Sequence, residues 1–61
     1  MIHAILTSNA IGSLLHDLKT NGVVFALPKR TEIFIEDTAK GRLSIKLVKE
    51  RFGVKSIKII D

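Results

Sequence analysis

Three cationic side chains are spaced at i, i+4 and i+7 in the second half of the chain: Arg42, Lys46 and Lys49. In an α-helix, which turns by about 100° per residue, these positions lie on one face. Charged tips at intervals along one face are sufficient for contacts with the phosphates of a nucleic-acid backbone. We therefore predict a basic stripe that binds nucleic acid electrostatically, extended by nearby cations. The residues predicted to take part are Lys29, Arg30, Lys40, Arg42, Lys46 and Lys49.

A simpler interpretation of the stripe is that any surface helix presents polar side chains to water. Lys46 and Glu50 also have the i, i+4 spacing of an ordinary helical ion pair. The formal net charge of +4 and the pI of about 9.9 indicate an acidic partner, but they fit an acidic protein surface as well as nucleic acid. Both kinds of partner therefore stay open.

Few side chains are suited to catalysis or to metal binding. The chain has no cysteine and only two histidines, His3 and His16, which are too few for the four ligands of a structural zinc ion. Glu36 and Asp37 are adjacent and leave a predicted strand on opposite sides, which favours a solubilising role. The four glycines are scattered and form no phosphate-binding loop. We predict a protein that is not an enzyme and has no cofactor or metal.

The elements that position these residues follow from the apolar pattern, which begins with a β-rich strand at residues 2–7. Ser8 and Asn9 are suitable N-caps for a helix. The helix is predicted to end at Asn21-Gly22, a pair typical of a left-handed C-cap. Its apolar residues have the i, i+3, i+4 and i+7 spacing of a one-sided amphipathic helix. They are Ile11, Leu14, Leu15 and Leu18.

A hairpin and a second helix come next. Residues 23–27 and 32–36 are short β-branched and aromatic runs, and residues 28–31 between them contain the only proline. Residues 38–41 break the pattern, and a second helix is predicted at about 42–52. On its helical wheel the apolar residues fall on an arc opposite the basic stripe, with Ile45 at the edge of that arc. The residues of the arc are Leu43, Leu47, Val48 and Phe52.

Residues 54–61 have two interpretations with different functional consequences. Gly53 in a tight turn, followed by Val54 and by an apolar residue six positions after the glycine, resembles a DNA-binding helix-turn-helix. That motif needs a small residue where this chain has Lys49, and its second helix would be short and rich in β-branched isoleucine. As a strand, the segment alternates its apolar side chains and completes a βαββαβ order. We therefore predict the strand.

The predicted fold is α+β, a ferredoxin-like split βαβ with two helices on one face of a four-stranded antiparallel sheet. The other face of the sheet is then open. Phe34, in the middle of the third strand, is similar in position to the base-stacking aromatics of RNA-recognition domains. It stands between Glu32 and Glu36, which repel phosphate, so we favour an apolar patch for dimerisation or for a partner protein. The residues predicted for this interface are Ile5, Val24, Phe34 and Ile60.

Size and composition limit the class of protein. The chain of 61 residues has room for one domain, residues 1–61, and the 46% of hydrophobic residues against 26% charged is a globular balance. A core this small is marginal, which favours a homodimer. No apolar run approaches the ~20 residues that cross a bilayer, and residues 1–10 lack the basic start of a signal peptide. We expect a soluble, cytoplasmic protein without membrane contact.

Two functions are predicted from these features. The first is a small regulatory module that binds DNA or RNA through the basic helix face and the hairpin tip, as a dimer. The alternative is a protein-interaction module, an inhibitor or adaptor of the kind that viruses and mobile elements encode. It would dock its partner through a sheet edge or through the apolar sheet face.

Overall fold

The computed structural model describes residues 1–60, in which four strands and two α-helices follow the order βαββαβ. The strands are β1 (Ile2–Leu6), β2 (Phe25–Ala26), β3 (Glu32–Ile35) and β4 (Ile57–Ile60). The helices are α1 (Ser8–Thr20) and α2 (Ala39–Phe52), and a 3₁₀ turn at Val54–Ser56 precedes β4. The sheet has the order β2-β3-β1-β4, and all neighbours are antiparallel. The predicted ferredoxin-like split βαβ fold is confirmed.

The disputed final segment forms a strand. Gly53 ends α2 with a positive φ of 94°, and its N–H donates to the Lys49 carbonyl at 2.8 Å. Ser56 completes the 3₁₀ turn, and β4 then pairs with β1 in a register that places Ile57 opposite Leu6. The β-branched isoleucines that disfavour a helix suit this pleated surface. The helix-turn-helix alternative is therefore excluded for residues 54–60.

Helix α1 agrees with its predicted apolar pattern, but its N-cap lies one residue before the predicted pair. Thr7 is the N-cap, and its Oγ1 accepts from the Ala10 N–H at 3.3 Å, so neither Ser8 nor Asn9 caps the helix. The C-terminal turn at Asn21 and Gly22 is as predicted, with φ of 67° at Gly22. The buried residues of the helix are Ala10, Ile11, Leu14 and Leu18.

The hairpin is present, but β2 is shorter than the predicted run at 23–27. Val23 is buried, and its N–H donates to the carbonyl of Leu18 in α1 at 2.9 Å. Phe25 and Ala26 form the ladder with β3, and the Glu36 N–H donates to the Val24 carbonyl at 2.9 Å. Backbone contact with the end of β3 therefore reaches Val24, whereas Val23 closes the C-terminal end of α1.

Helix α2 begins at Ala39, three residues before the predicted start at 42. Thr38 is its N-cap, and the Thr38 Oγ1 accepts from the Gly41 N–H at 3.1 Å. Gly41 is buried in the first turn, where an added Cβ would lie 2.6 Å from the Glu36 carbonyl oxygen. The glycine that looks like a helix breaker is therefore required because the preceding chain passes so close to the helix.

The predicted inward face of α2 is wrong by part of a turn. The structure buries Gly41, Ser44, Ile45 and Val48, whereas Leu43 is 54% exposed and Phe52 is 41% exposed. Burial of Ser44 is tolerated because its hydroxyl donates to the Lys40 carbonyl at 3.0 Å. Hydrophobicity alone therefore gave the wrong orientation, since two inward positions are a glycine and a serine.

The core lies between the helices and one face of the sheet, and the side chains of β1 and β3 alternate between this core and the open face. The buried hydrophobic residues of this core are Ala4, Leu6, Ala10, Ile11, Leu14, Leu18, Val23, Ile33, Ile35, Ile45, Val48 and Ile57.

Neither helix within residues 1–60 combines the length and apolar character needed to cross a bilayer.

Candidate functional site

The structure divides the predicted nucleic-acid residues into two groups at different places. Arg42, Lys46 and Lys49 line a groove beside β4, which is one edge of the sheet. Lys29 and Arg30 are exposed in the connection between β2 and β3, on the other side of the central strand β1. The predicted continuous basic surface is therefore two separate sites. The sixth predicted residue, Lys40, is exposed in the first turn of α2 and lines neither.

We call the groove beside β4 the edge groove; its volume is about 470 Å³. It lies between α2, the central strand β1 and the edge strand β4. Its apolar residues are Met1, Ile2, Ile45 and Ile59, and its polar residues are Asp37, Arg42, Lys46 and Lys49. The volume falls in the range of small-ligand clefts, about 300–1,000 Å³, but this cleft is open along the sheet edge.

The rotation of α2 explains why the stripe borders a groove. Because Ile45 and not Leu43 is buried, the adjacent stripe positions come to the boundary between the core and water. Ile59 of β4, which lines the groove across from α2, is 42% exposed. The lysines therefore border a partly exposed apolar surface and do not lie on a uniformly solvated helix face.

Arg42 is bound internally to Asp37. Its Nε lies 2.6 Å from the carboxylate Oδ1, and its Nη2 lies 3.0 Å from Oδ2, which is a bidentate contact. The hydrogen bond from Arg42 lowers the pKa of Asp37, and the same contact raises the pKa of Arg42. Arg42 therefore contributes little uncompensated charge to the groove.

Lys46 and Lys49 are the groove cations with uncompensated charge. Within residues 1–60 neither lies within 4.0 Å of a carboxylate oxygen. Lys49 also stands in the last turn of α2, where a cation interacts favourably with the helix dipole. An anionic ligand in the groove would meet these two lysines and the apolar residues between α2 and β4.

Three connections meet at the opposite end of the strands from the start of α2, and we call this region the loop end. It comprises Thr7 and residues 27–31 and 53–56. The Leu6 N–H donates to the Thr31 carbonyl at 2.9 Å, and the Thr7 N–H donates to the Ser56 carbonyl at 3.0 Å. These bonds fix the outer connections on either side of the end of β1.

The loop end is cationic. Its connections carry Lys29, Arg30 and Lys55, all exposed, and contain no aspartate or glutamate. The N-terminus of α1 is also there, and its first turn has no acidic residue. Backbone amides at a helix N-terminus add positive potential. Lys55 was not among the predicted residues, because only the closure of the fold brings residues 53–56 and 27–31 to the same end of the sheet, on either side of β1.

Three carboxylates are engaged in internal contacts. Asp37 binds Arg42, and Glu32 binds the imidazole Nε2 of His3 through its Oε2. Asp17 Oδ2 is buried without a hydrogen bond from residues 1–60 and lies 3.9 Å from the Arg51 guanidinium between the two helices. These contacts reduce the negative charge that the surface presents. The positive charge of the loop-end lysines is not reduced in this way.

The predicted interface residues lie on the open face of the sheet, as the strand alternation requires. Ile5 is 40% exposed and Val24 is 59% exposed, and Phe34 and Ile60 are half-buried. His3 stands between Phe34 and Ile60 in the cross-strand register. Its ring stacks on Phe34 with a centroid separation of 4.2 Å and an interplanar angle of 15°. The face is therefore a mixed surface with an aromatic pair at its centre.

No group of three His, Cys, Asp or Glu side chains within residues 1–60 is arranged to hold a metal ion. The glutamate and aspartate at the end of β3 are used differently: Glu36 is exposed, and Asp37 binds Arg42. Comparison of the chain with protein-family models, with curated proteins and with solved structures finds no match. Its function must therefore be argued from these surfaces alone.

Proposed function

We propose that the protein is a small non-catalytic module that binds the backbone of DNA or RNA through the loop end. The observation that carries this proposal is the meeting of three connections with Lys29, Arg30 and Lys55 and without a carboxylate of their own. Phosphates are bound by such cations through charge, with little dependence on sequence. Regulation by occupancy of nucleic acid is the role that such a module would have.

The loop end suits this function because its cations stand on short connections fixed to the sheet. Residues 53–56 form a tight turn in which the Ser56 N–H donates to the Gly53 carbonyl at 3.1 Å. The Ser56 hydroxyl donates to the same carbonyl at 2.6 Å. Cations on a fixed backbone lose less conformational entropy when they bind than cations on a mobile segment.

A salt titration tests the proposal. Fluorescence anisotropy with labelled single and double strands of about 20 nucleotides should show binding that weakens steeply as salt rises. The logarithmic slope falls by about 0.9 for each phosphate contact that is lost on duplex DNA. The triple change of Lys29, Arg30 and Lys55 to Ala should therefore weaken binding about tenfold or more and reduce the slope by about 2 to 3.

The matched control removes cations from the other site. Lys46→Ala with Lys49→Ala changes the net charge by two but leaves the loop end intact, so it should affect affinity and slope much less. An equal loss per cation in both variants would mean that total charge, and not the loop end, determines binding. Absence of binding at roughly 50 mM salt from a folded sample would reject the proposal.

A protein-interaction module is the second candidate function, and the exposed apolar residues of the open sheet face favour it. Phe34→Asp would place a charge at the centre of this face, next to Glu32, which His3 engages. Capture of a partner protein should then be lost with the fold retained, as checked by circular dichroism. Unchanged capture would exclude the face.

The open face is also the surface on which a homodimer would form. Light scattering of the protein and of Phe34→Asp compares their masses directly. We expect the mass of a dimer for the protein and of a monomer for the variant, because burial of a charge without a partner is strongly unfavourable. A monomeric mass for both would reject dimerisation through this face.

A further inference from the structure

The edge groove and strand β4 form a surface that the proposed nucleic-acid contact does not use. We infer that this surface binds an extended acidic segment of a partner protein, which adds to the sheet as a fifth strand beside β4. The inference does not depend on the loop end, and it names the partner chemistry that the protein-interaction alternative lacks. It rests on the backbone of β4, on the apolar part of the groove and on its two uncompensated lysines.

The hydrogen-bond phase of β4 shows which backbone groups are available at the edge. The Thr7 N–H donates to the Ser56 carbonyl at 3.0 Å, in line with the β1–β4 register. Bonded pairs alternate along an antiparallel ladder, so Lys58 bonds to β1, whereas Ile57 and Ile59 direct their N–H and C=O groups away from it. Because β4 is the last strand of the sheet, those groups face the open edge.

Both edges of a sheet are candidates for strand addition, but β2 is unsuitable. It has only two residues, Phe25 and Ala26, and Pro28 follows closely. A short edge strand with a nearby proline offers few backbone groups to a partner. Strand β4 has four residues and no proline, so it is the edge that can accept another strand.

Side chains of an added strand would alternate between the groove and the open face. A residue opposite Ile59 would lie over the groove, where Ile59 is 42% exposed and Ile45 lines the floor, so an apolar side chain fits there. Its neighbour would lie opposite Lys58, which is exposed and separated from Glu32 by Ile5 in the register. A carboxylate fits that position. The expected segment therefore alternates apolar and acidic residues.

The rim of the groove gives the same charge preference. Lys46 and Lys49 line the α2 side of the groove, and the one groove carboxylate, Asp37, is bound by Arg42. An acidic segment would be attracted to these lysines, which raises the association rate and makes binding depend on salt. A basic segment would be repelled from the same positions.

A second copy of the chain is a poorer occupant of this edge. In the two-fold pairing that uses the outward groups of both Ile57 and Ile59, each Lys58 lies directly opposite Lys58 of the second copy. Like charges in opposite positions of neighbouring strands destabilise the pair. An acidic segment forms the same backbone bonds without this repulsion.

The test uses a labelled peptide that alternates Glu and Val. Its length of about eight residues is usual for a strand. Three peptides are compared: the parent, a scrambled peptide of the same composition, and the parent with N-methyl groups on the alternate amides that would face β4. Anisotropy at roughly 50 mM salt should show binding of the parent, weakened about tenfold by N-methylation or scrambling.

Protein variants locate the site. Lys46→Glu with Lys49→Glu should weaken the parent peptide about tenfold or more, because attraction becomes repulsion. Ile59→Pro, which removes one outward N–H, should weaken it by a similar factor. The Lys29, Arg30 and Lys55 alanine variant is the control and should bind the peptide as the unaltered protein does.

Four results would overturn the inference. The first is equal binding of the parent, scrambled and N-methylated peptides, which would mean that charge attraction alone causes binding. The second is no binding of the parent peptide by the folded protein. The third is oligonucleotide binding that the Lys46 and Lys49 charge reversal abolishes while the peptide does not bind, which assigns the groove to nucleic acid. The last is a doubling of mass by light scattering that Ile59→Pro abolishes, which assigns the edge to a second copy.

Discussion

The loop end and the edge groove contain cations from the same predicted set, but their surroundings differ. The loop end has Lys29, Arg30 and Lys55 exposed on connections that offer no strand edge, although Leu27 and Val54 are also exposed there. In the edge groove, Lys46 and Lys49 border buried Ile45 and partly exposed Ile59. Phosphate backbones require charge alone, whereas a protein segment also needs an apolar surface and backbone partners.

The difference shows that the kind of ligand a cation can bind depends on the residues around it. A basic stripe on a helical wheel is compatible with either ligand. Whether it borders water or an apolar cleft depends on which residue of the same helix is buried. In α2 the burial of Ile45 decides this, and it turns a predicted nucleic-acid stripe into one side of a groove.

The largest expected effect tests the hydrogen-bond phase on which the groove edge depends. Lys58→Pro removes an N–H that bonds to β1, and such a change within a ladder should lower the free energy of unfolding by about 3 kcal/mol. Ile59→Pro removes an N–H that faces the open edge, where proline is tolerated, and should lower it by about 1 kcal/mol or less. Urea unfolding of both variants measures the difference.

The outcome bears directly on the comparison of the two regions. If Ile59→Pro is the more destabilising change, the ladder has the opposite phase and the outward groups belong to Lys58. The groove side of β4 would then lack the backbone partners that a fifth strand needs. The loop end would remain the only site of the two with a defined ligand class.

The next effect in size concerns two glycines with opposite expectations. Gly41→Ala should lower the free energy of unfolding by about 1–3 kcal/mol, because its Cβ would lie 2.6 Å from the Glu36 carbonyl oxygen. Gly12→Ala in α1 meets nothing within 4 Å and should raise it by about 0.5–1 kcal/mol through helix propensity. Both are measured by urea unfolding.

Gly41→Ala also distinguishes the edge groove from the loop end by its effect on ligand affinity. Gly41 lies in the first turn of α2, beside the segment that contains Asp37, so its substitution should disturb the groove and weaken the acidic peptide. The loop end is at the other end of the strands, and oligonucleotide affinity should be unchanged. Equal losses for both ligands would show that the substitution unfolds the protein, and would remove its value as a local change.

The fold was predictable because its signals are periodic and mutually consistent. The spacing of Ile11, Leu14 and Leu18 defined the buried face of α1. The alternation in the last segment defined β4 once the helix-turn-helix was weighed against its length. Each signal is local in sequence, and the sheet order then follows from the few ways of packing a βαββαβ chain.

The candidate sites were only partly predictable, because they depend on contacts between distant segments. The open-face residues Ile5 and Phe34 followed from strand alternation. The groove did not, since it required burial of Gly41 and Ser44, which no hydrophobicity pattern indicates. Lys55 was missed for a similar reason: its association with residues 27–31 exists only when β1 lies between them.

The smallest expected effect concerns the ion pair that separates Arg42 from the two groove lysines. The hydrogen bond from Arg42 lowers the pKa of Asp37, so the pair stabilises the fold above the carboxyl's unfolded-state pKa. That contribution is lost as the pH falls through the lowered pKa. Asp37→Asn should therefore be slightly less stable than the unaltered protein at neutral pH, and equally stable in acid. Urea unfolding across a pH series measures this.

The same substitution changes the charge of one region only. Without the Asp37 carboxylate, Arg42 becomes a third uncompensated cation of the edge groove, and the acidic peptide should bind a few-fold more tightly at neutral pH. Oligonucleotide affinity at the loop end should not change. Side chains of Arg42 and Asp37 that are 71% and 46% exposed make the stability effect small. Unchanged peptide affinity would mean that water already screens Asp37, and that Arg42 contributes to the groove in the unaltered protein.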